Sequence, residues 1–505
     1  MTTPIVSVSA GTAVSAQKPD ATASRRVWLV LGALTLIGFA LRIYRLNHSS
    51  LWMDETLTIA RADPALSWRE FFLFPETAPH PVWHHGMLKL WLTVFGYGEF
   101  QARLLSAIIG ALGIPATYLL ARTCAGVPGS LIAALVAAVS YYLIFYAQEL
   151  TPYTHWYAAA CLSYFFFLAL CRTGTVWSSV GYTVASLIAL HIHFHSAFMI
   201  AAQMTAALYF GVLRGGARGV WTMALRFATP GLIIVLSLVP MADQIRSFAT
   251  KPHFLQAAPP GTFPLQYFYD FFGNSIVYAV LAALPIAMLV FVRLHRWAIG
   301  AAPEPAISAG EAQSSISMLL IILVVGLAVP YAVSVGIKPV LFHRYTIYTL
   351  PIYLILVAVG FEMIRRQAVR WSLAAALFVA SLWVLLVEKA QYSVTVKFDQ
   401  PREVVRFVAT KNAELRIANV RYVSNAPTMV RFYMRASGIS APLLPFVEKE
   451  EIAARLVGTA KGEFFWIVVN GWEPNPAMLA FVAARYDKIT DARFQRGYAG
   501  LYRFR

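Results

Sequence analysis

The chain has 505 residues, 59% hydrophobic and 13% charged, with a mean hydropathy of +0.61. So apolar a composition excludes a purely soluble protein of this size and defines an integral membrane one. The formal net charge of +17 and pI near 9.8 do not point to nucleic acid. The Lys and Arg residues stand in short clusters between apolar runs, the pattern of membrane topology and anionic lipid.

Residues 1–24 are rich in Ser, Thr, Ala and Val and read as a disordered cytoplasmic tail. Ser24-Arg25-Arg26 resembles a twin-arginine signal. The apolar run behind it is full-length, ends in Arg42 and Arg45 and lacks a small-residue cleavage site, so it reads as an uncleaved first span. Runs of about 17–22 apolar residues predict about eleven spans, near residues 27–46, 103–121, 129–147, 152–171, 178–193, 196–213, 228–245, 274–292, 316–336, 346–364 and 371–387. Basic clusters fall at alternate span ends: Arg25 and Arg26, Arg122, Arg172, Arg214 with Arg218 and Arg226, Arg293 with Arg296, and Arg365 with Arg366 and Arg370. That face is expected in the cytoplasm, with the opposite loops outside. Cys124, Cys161 and Cys171 lie in or beside apolar segments and imply no disulfide scaffold.

The expected architecture is a polytopic all-α membrane domain over residues 25–389, followed by a small α/β domain over 390–505. The first outer loop, 47–102, is too long and polar for a simple connection. Asp63-Pro64 is expected to open a short helix through Phe74, and Pro81 a second, with Trp83, Met87, Leu90, Trp91 and Val94 at helical spacing. Residues 243–264 read as an outward loop rich in Pro and aromatics, and 298–314 as a flexible cytoplasmic linker. Beyond 390 the pattern predicts helices at 401–411, 427–436, 447–456 and 475–485, with strands near 417–424, 464–469 and 496–504.

The stretch Ser50-Leu51-Trp52-Met53-Asp54-Glu55 places two carboxylates directly after the first span, a costly position near lipid unless they are used. Adjacent residues on a helix diverge by about 100°, so one carboxylate is expected to face a cavity and the other a cap, a metal or a basic partner. Other polar groups gather at the outward corners: Arg103, Gln148 with Glu149 and Tyr153, the histidines His191, His193 and His195, and Lys338 with Arg344 and Tyr345. Arg344, Arg103 and Lys338 are candidate phosphate ligands. Three histidines at spacing two do not converge on one helix face, which disfavours a His-only metal site. The sequence has no Gly-Lys and no His-Glu dipeptide, which excludes a P-loop and a zincin motif.

Taken together, Leu51-Trp52-Met53-Asp54-Glu55, Pro79-His80-Pro81, Arg103-Leu104-Leu105-Ser106-Ala107, Tyr146-Ala147-Gln148-Glu149 with Pro152-Tyr153, and Phe342-His343-Arg344-Tyr345 with Leu350-Pro351 occur in a familiar order. The chain resembles the GT-C glycosyltransferases that use polyprenyl-phosphate sugars: the bacterial relatives of protein O-mannosyltransferases, with the lipid A aminoarabinose and rhizobial galacturonosyl transferases. The likeness covers roughly residues 27–365. It departs at Val82-Trp83-His84, where many relatives continue His-Pro-Pro, and at Leu150-Thr151, where they carry Ala-Arg.

The resemblance implies an inner-membrane enzyme with a periplasmic cavity. There a polyprenyl-phosphate sugar would meet an acceptor hydroxyl on a glycolipid, polysaccharide or protein. It implies inverting displacement with Asp54 as base and Glu55 as a second catalytic carboxylate, and charge stabilisation by Arg344, Arg103 and Lys338. Sugar or acceptor contacts would come from Trp52, His80, Gln148, Glu149, Tyr153, His193 and Tyr345, with a divalent metal as an alternative charge partner at Asp54 and Glu149. The rival reading is a lipid-linked sugar transporter or flippase. Polar residues clustered at outer helix ends, with no evident internal repeat, favour the enzyme.

Overall fold

The computed structural model describes residues 21–74, 81–250, 257–298, 307–394, 398–417, 420–457 and 460–505. The membrane domain consists of α1 (Ala21–Ile43), α2 (Met53–Arg61), α3 (Trp68–Leu73), α4 (Val82–Phe95), α5 (Glu99–Ala121), α6 (Val127–Val139), α7 (Tyr141–Ala147), α8 (Tyr153–Thr173), α9 (Val176–Ile192), α10 (Ser196–Leu236), α11 (Ala242–Thr250), α12 (Phe263–Phe271), α13 (Ile276–Ala298), α14 (Ile307–Gly336), α15 (Leu350–Met363) and α16 (Gln367–Trp383). Among the described residues, 8 helices are long and apolar enough to cross a membrane, and the bent pair α6–α7 makes up to 9. The shorter apolar α9 adds another. The continuous α10 is broken at Gly215 and Gly216, where Gly216 has φ 54°. A Cβ on Gly219 would collide with the Gly211 carbonyl, so the two halves of α10 lie against each other. The eleven spans expected are reached only if α9 and both halves of α10 are also counted as spans.

The 51° bend between α6 and α7 frees carbonyls in the bundle interior. Buried Arg42 donates to Ala137 O at 3.0 Å and Ala138 O at 2.9 Å, and Ser381 Oγ donates to Val139 O at 3.0 Å. Two further basic residues also act as plugs, Arg172 in the last turn of α8 and Arg226 within α10. Arg172 donates to Thr123 O at 3.1 Å and Glu311 O at 2.9 Å, and Arg226 to Leu170 O at 3.3 Å. Where α13 crosses α15, Gly360 lies on the Pro285 backbone, and a Cβ there would strike the carbonyl. Gly360→Ala is expected to cost about 1–3 kcal/mol, read as a lower Tm of the detergent-purified protein.

The first outer loop differs from expectation at one cap. Asp63 to Leu66 is a turn, and α3 begins instead at Ser67, whose Oγ accepts from the Glu70 N–H at 3.2 Å while Glu70 Oε2 accepts from the Ser67 N–H at 2.7 Å. Helix α4 starts after Pro81, as its pattern predicts. Trp83, Leu90 and Val94 remain exposed on it, while Lys89 turns inward to Asp63 O and Leu66 O. The expected linker at 298–314 falls partly outside the described residues, and from Ile307 it is already helical. Much of the expected tail likewise lies outside them.

The C-terminal domain contains α17 (Pro401–Glu414), β1 (Arg421–Ser424), α18 (Pro427–Ala436), β2 (Leu443–Pro445), α19 (Lys449–Arg455), β3 (Phe464–Asn470), α20 (Pro476–Ala483), β4 (Tyr486–Phe494) and β5 (Gly497–Phe504). Its five strands run in the order β2-β1-β3-β5-β4, with β1 parallel to both neighbours and β5 antiparallel to β3 and β4. The pattern missed β2 and β4: the first is three residues long, and the second is a polar edge strand. Val404, Val408, Tyr433, Trp466 and Leu501 share one apolar cluster with Leu51, Ile59, Leu88, Leu105 and Leu150. The domain is therefore packed onto the first outer loop rather than tethered beside it.

Candidate active site

Helix α2 starts at Met53, so Asp54 and Glu55 both sit in its first turn and diverge as helical phase requires. Glu55 is fully buried. Its Oε1 accepts from Arg103 Nε at 2.7 Å and from the Leu150 N–H at 2.7 Å, and its Oε2 accepts from Arg103 Nη2 at 2.6 Å and from the Trp52 N–H at 3.3 Å. The remaining Arg103 donors reach Ser49 O at 2.8 Å, Leu46 O at 3.2 Å and Ser50 O at 3.3 Å. This bidentate pair joins α2, α5, the loop after α1 and the corner before α8. Two expectations change accordingly. Arg103 has its guanidinium committed to the fold rather than to a phosphate, and Glu55 is a structural clamp rather than a catalytic group.

Asp54 faces the other way, with Oδ2 lying 3.3 Å from Arg344 Nη2, and both side chains remain partly exposed. Arg344 follows α14 on the helical turn His343–Thr349. Its Cζ lies 5.2 Å from the ring centre of Phe342, 5.6 Å from Tyr153, 5.8 Å from Tyr345 and 5.9 Å from Trp52. Four aromatic faces thus surround one guanidinium. Burial raises the Asp54 carboxyl above its ordinary value; Arg344 opposes the shift, and Glu55 and Asp399 reinforce it.

A cleft of about 300 Å³ has Tyr142, Tyr146, Asp270, Asn274 and His343, the residue before Arg344, among its lining residues. Tyr146 lies 4.9 Å ring to ring from Tyr153, which links the cleft to the Arg344 cage. Tyr142, Tyr146, Phe342, His343 and Asp270 were not singled out from the sequence as site residues. Tyr146, Phe342 and His343 belong to motif stretches while Tyr142 and Asp270 do not, and the direction of all five depends on tertiary packing.

The other expected residues separate. Tyr153 and Tyr345 stack at 6.4 Å within the cage. His193 is buried behind them, 4.3 Å from the Trp156 ring and 4.7 Å from Tyr345, so it supports the cage wall. Gln148 is a strut rather than a sugar ligand: it donates to Tyr44 O at 2.9 Å and Arg42 O at 3.2 Å, and accepts from Gln391 at 2.7 Å. Glu149 is buried at the same corner, and Lys338 is half-buried at the head of the connection to Arg344. His80 lies outside the described residues.

Among the described residues no three His, Cys, Asp or Glu side chains gather to hold a metal. Asp54 faces a guanidinium where a bound cation would need further oxygen or nitrogen donors. The donor set does not fit the divalent metal expected at Asp54 and Glu149.

This bundle, with the acidic helix α2 in the loop after its first span and an appended α/β domain, has the fold of the GT-C glycosyltransferases. Residues 79–242, less than half of the chain, match the family described as dolichyl-phosphate-mannose-protein mannosyltransferase. The structure is similar to ArnT from Cupriavidus metallidurans bound to undecaprenyl phosphate, with a TM-score of 0.57 and 13% identity over 95% of this chain and 98% of that one. It is also similar to the archaeal oligosaccharyltransferase AglB from Archaeoglobus fulgidus in complex with an inhibitory peptide and a dolichol-phosphate. There the TM-score is 0.52 at 10% identity, over 95% of this chain and 74% of that one. No curated protein sequence matches the chain.

Proposed function

We propose that the chain is a glycosyltransferase of the bacterial inner membrane that moves a sugar from a polyprenyl-phosphate donor to an acceptor hydroxyl at the periplasmic face. The observation that carries this reading is the Asp54–Arg344 pair at 3.3 Å inside an aromatic cage, which Tyr153 and Tyr146 join to a cleft of about 300 Å³. The similar folds described with undecaprenyl phosphate and dolichol-phosphate support it.

In this mechanism the acceptor hydroxyl gives its proton to Asp54 as its oxygen bonds to the anomeric carbon. The bond from that carbon to the phosphate oxygen breaks, and polyprenyl phosphate leaves with the electron pair. Arg344 neutralises the developing phosphate charge. A bound phosphate competes with Asp54 for Arg344, so donor binding itself releases the base. Inversion follows from the single displacement. Tyr153, Tyr345 and Trp52 supply faces for the sugar or the first prenyl units.

Incubation of the purified protein with polyprenyl-phosphate sugars tests the reading. Free polyprenyl phosphate and an inverted glycoside are expected; translocation of intact donor in vesicles without its cleavage would establish the flippase instead. Arg344→Ala is expected to lower kcat/KM by about 10²–10³-fold. Arg344→Lys should recover part of it, because lysine restores the charge but not the fork. The raised Asp54 carboxyl predicts that activity falls on acidification above the usual aspartate range, since protonation removes the base. A pH profile of kcat checks this.

A further inference from the structure

The N-terminus of α2 is closed by a residue of the other domain. Trp52, the residue before α2, has no side-chain oxygen to cap the first turn, and its own N–H is taken by Glu55. The Met53 N–H donates instead to Asp399 Oδ2 at 3.1 Å, and Phe398 packs on the Trp52 ring at 4.5 Å. The Asp399 side chain is 0% exposed, and its Oδ1 lies 3.3 Å from Arg496 Nη1. Arg496 turns the chain between β4 and β5 with φ 50°. It donates its N–H to Glu473 Oε1 at 3.1 Å and its guanidinium to Gly471 O. The loop leading to α2 is held by the same domain: the Leu51 N–H donates to the Tyr433 hydroxyl at 2.7 Å, and Arg402 donates to Asn47 O and His48 O at 2.8 Å each.

A serine or asparagine would cap α2 equally well. A carboxylate, here paired with Arg496, adds a negative charge to the turn that carries Asp54.

We propose that Asp399 is a positioning residue of the reaction centre: through it the C-terminal domain holds the first turn of α2, which carries Asp54, and lays a negative charge against that turn where Asp54 meets the acceptor hydroxyl and Arg344. This rests on the glycosyl-transfer reading. The groups that act on Asp54 are Glu55 with Arg103, Arg344, Tyr153, and Asp399 with Arg496 behind it. The helices packed against α2 carry further ionisable groups, His84, His85 and Lys89 on α4 and Tyr433 and Arg435 on α18; Lys89 is turned to Asp63 O and Leu66 O, and Arg435 is paired with Asp63. Of these, Glu55, paired with Arg103, and Asp399, paired with Arg496, are the carboxylates that raise Asp54.

The test uses the full-length protein in nanodiscs, with polyprenyl-phosphate sugars extracted from host membranes and release of polyprenyl phosphate as the readout. Asp399→Asn keeps an oxygen for the Met53 N–H but loses the charge. Its acid limb of kcat is expected to move to lower pH, with kcat near normal on the plateau. Asp399→Ala loses the cap as well, and kcat per folded molecule is expected to fall by up to about 10²-fold with donor KM unchanged. An Asp399→Asn profile that overlays the parent overturns the proposal, whether or not the alanine variant folds. The reading beneath it fails differently, through a parent chain that releases no polyprenyl phosphate or an Asp54→Asn variant that turns over normally.

Discussion

Asp54→Asn is expected to lower kcat for sugar transfer by about 10²–10⁴-fold, the range that a positioned general base contributes. The amide nearly preserves shape but cannot accept the acceptor proton. Stability should change little, because the ion pair with Arg344 is partly exposed at both ends and such pairs contribute about 0–1 kcal/mol. Binding of undecaprenyl phosphate should persist or strengthen, since Arg344 is no longer shared with a carboxylate. Polyprenyl phosphate release and lipid binding, measured on the same preparation, separate a lost base from a lost site. Near-normal turnover would remove Asp54 from the mechanism.

The neighbouring carboxylate should give the opposite result. Glu55→Ala leaves the Arg103 guanidinium enclosed without its counter-charge and removes the acceptor for the Leu150 N–H. Removing one partner of a buried pair costs roughly 3–5 kcal/mol. The expected outcome is a chain that aggregates on extraction or unfolds at markedly lower temperature. Arg103→Ala should behave alike, and it would also leave the Ser49 and Ser50 carbonyls unpaired. Scanning calorimetry or tryptophan fluorescence on heating measures both. An Arg103→Ala protein that stays folded but loses only donor affinity would restore the phosphate role read from its position.

The contrast between these two residues shows what the sequence could and could not reveal. Runs such as residues 103–121 were legible because a membrane span needs a long apolar run. The separation of Asp54 from Glu55 was legible because adjacent helical residues diverge. Which one faced the cavity depended on whether Arg103 or Arg344 came close, and no local pattern encodes that. Arg103, Gln148 and Arg344 look alike at an outer corner, yet two of them are spent on backbone carbonyls or a buried carboxylate. The start of α3 is encoded locally: Ser67-Trp68-Arg69-Glu70 is a capping-box pattern, whereas Asp63-Pro64 forms only a turn before it. Asp399 carried no local signal, because its partner is a backbone N–H almost three hundred and fifty residues earlier.

The arginines on the face opposite Asp54 combine two tasks that are usually assigned to different residues. Arg172 and Arg226 belong to the charge bias from which orientation is inferred, yet each also ties off carbonyls at the ends of neighbouring helices. An insertion assay that reverses the bias by deleting these charges would therefore fray the helices it aims to reorient. Charge-neutral glutamine in their place keeps an N–H donor, and comparing it with alanine would disentangle the vote on orientation from the stitching of the bundle.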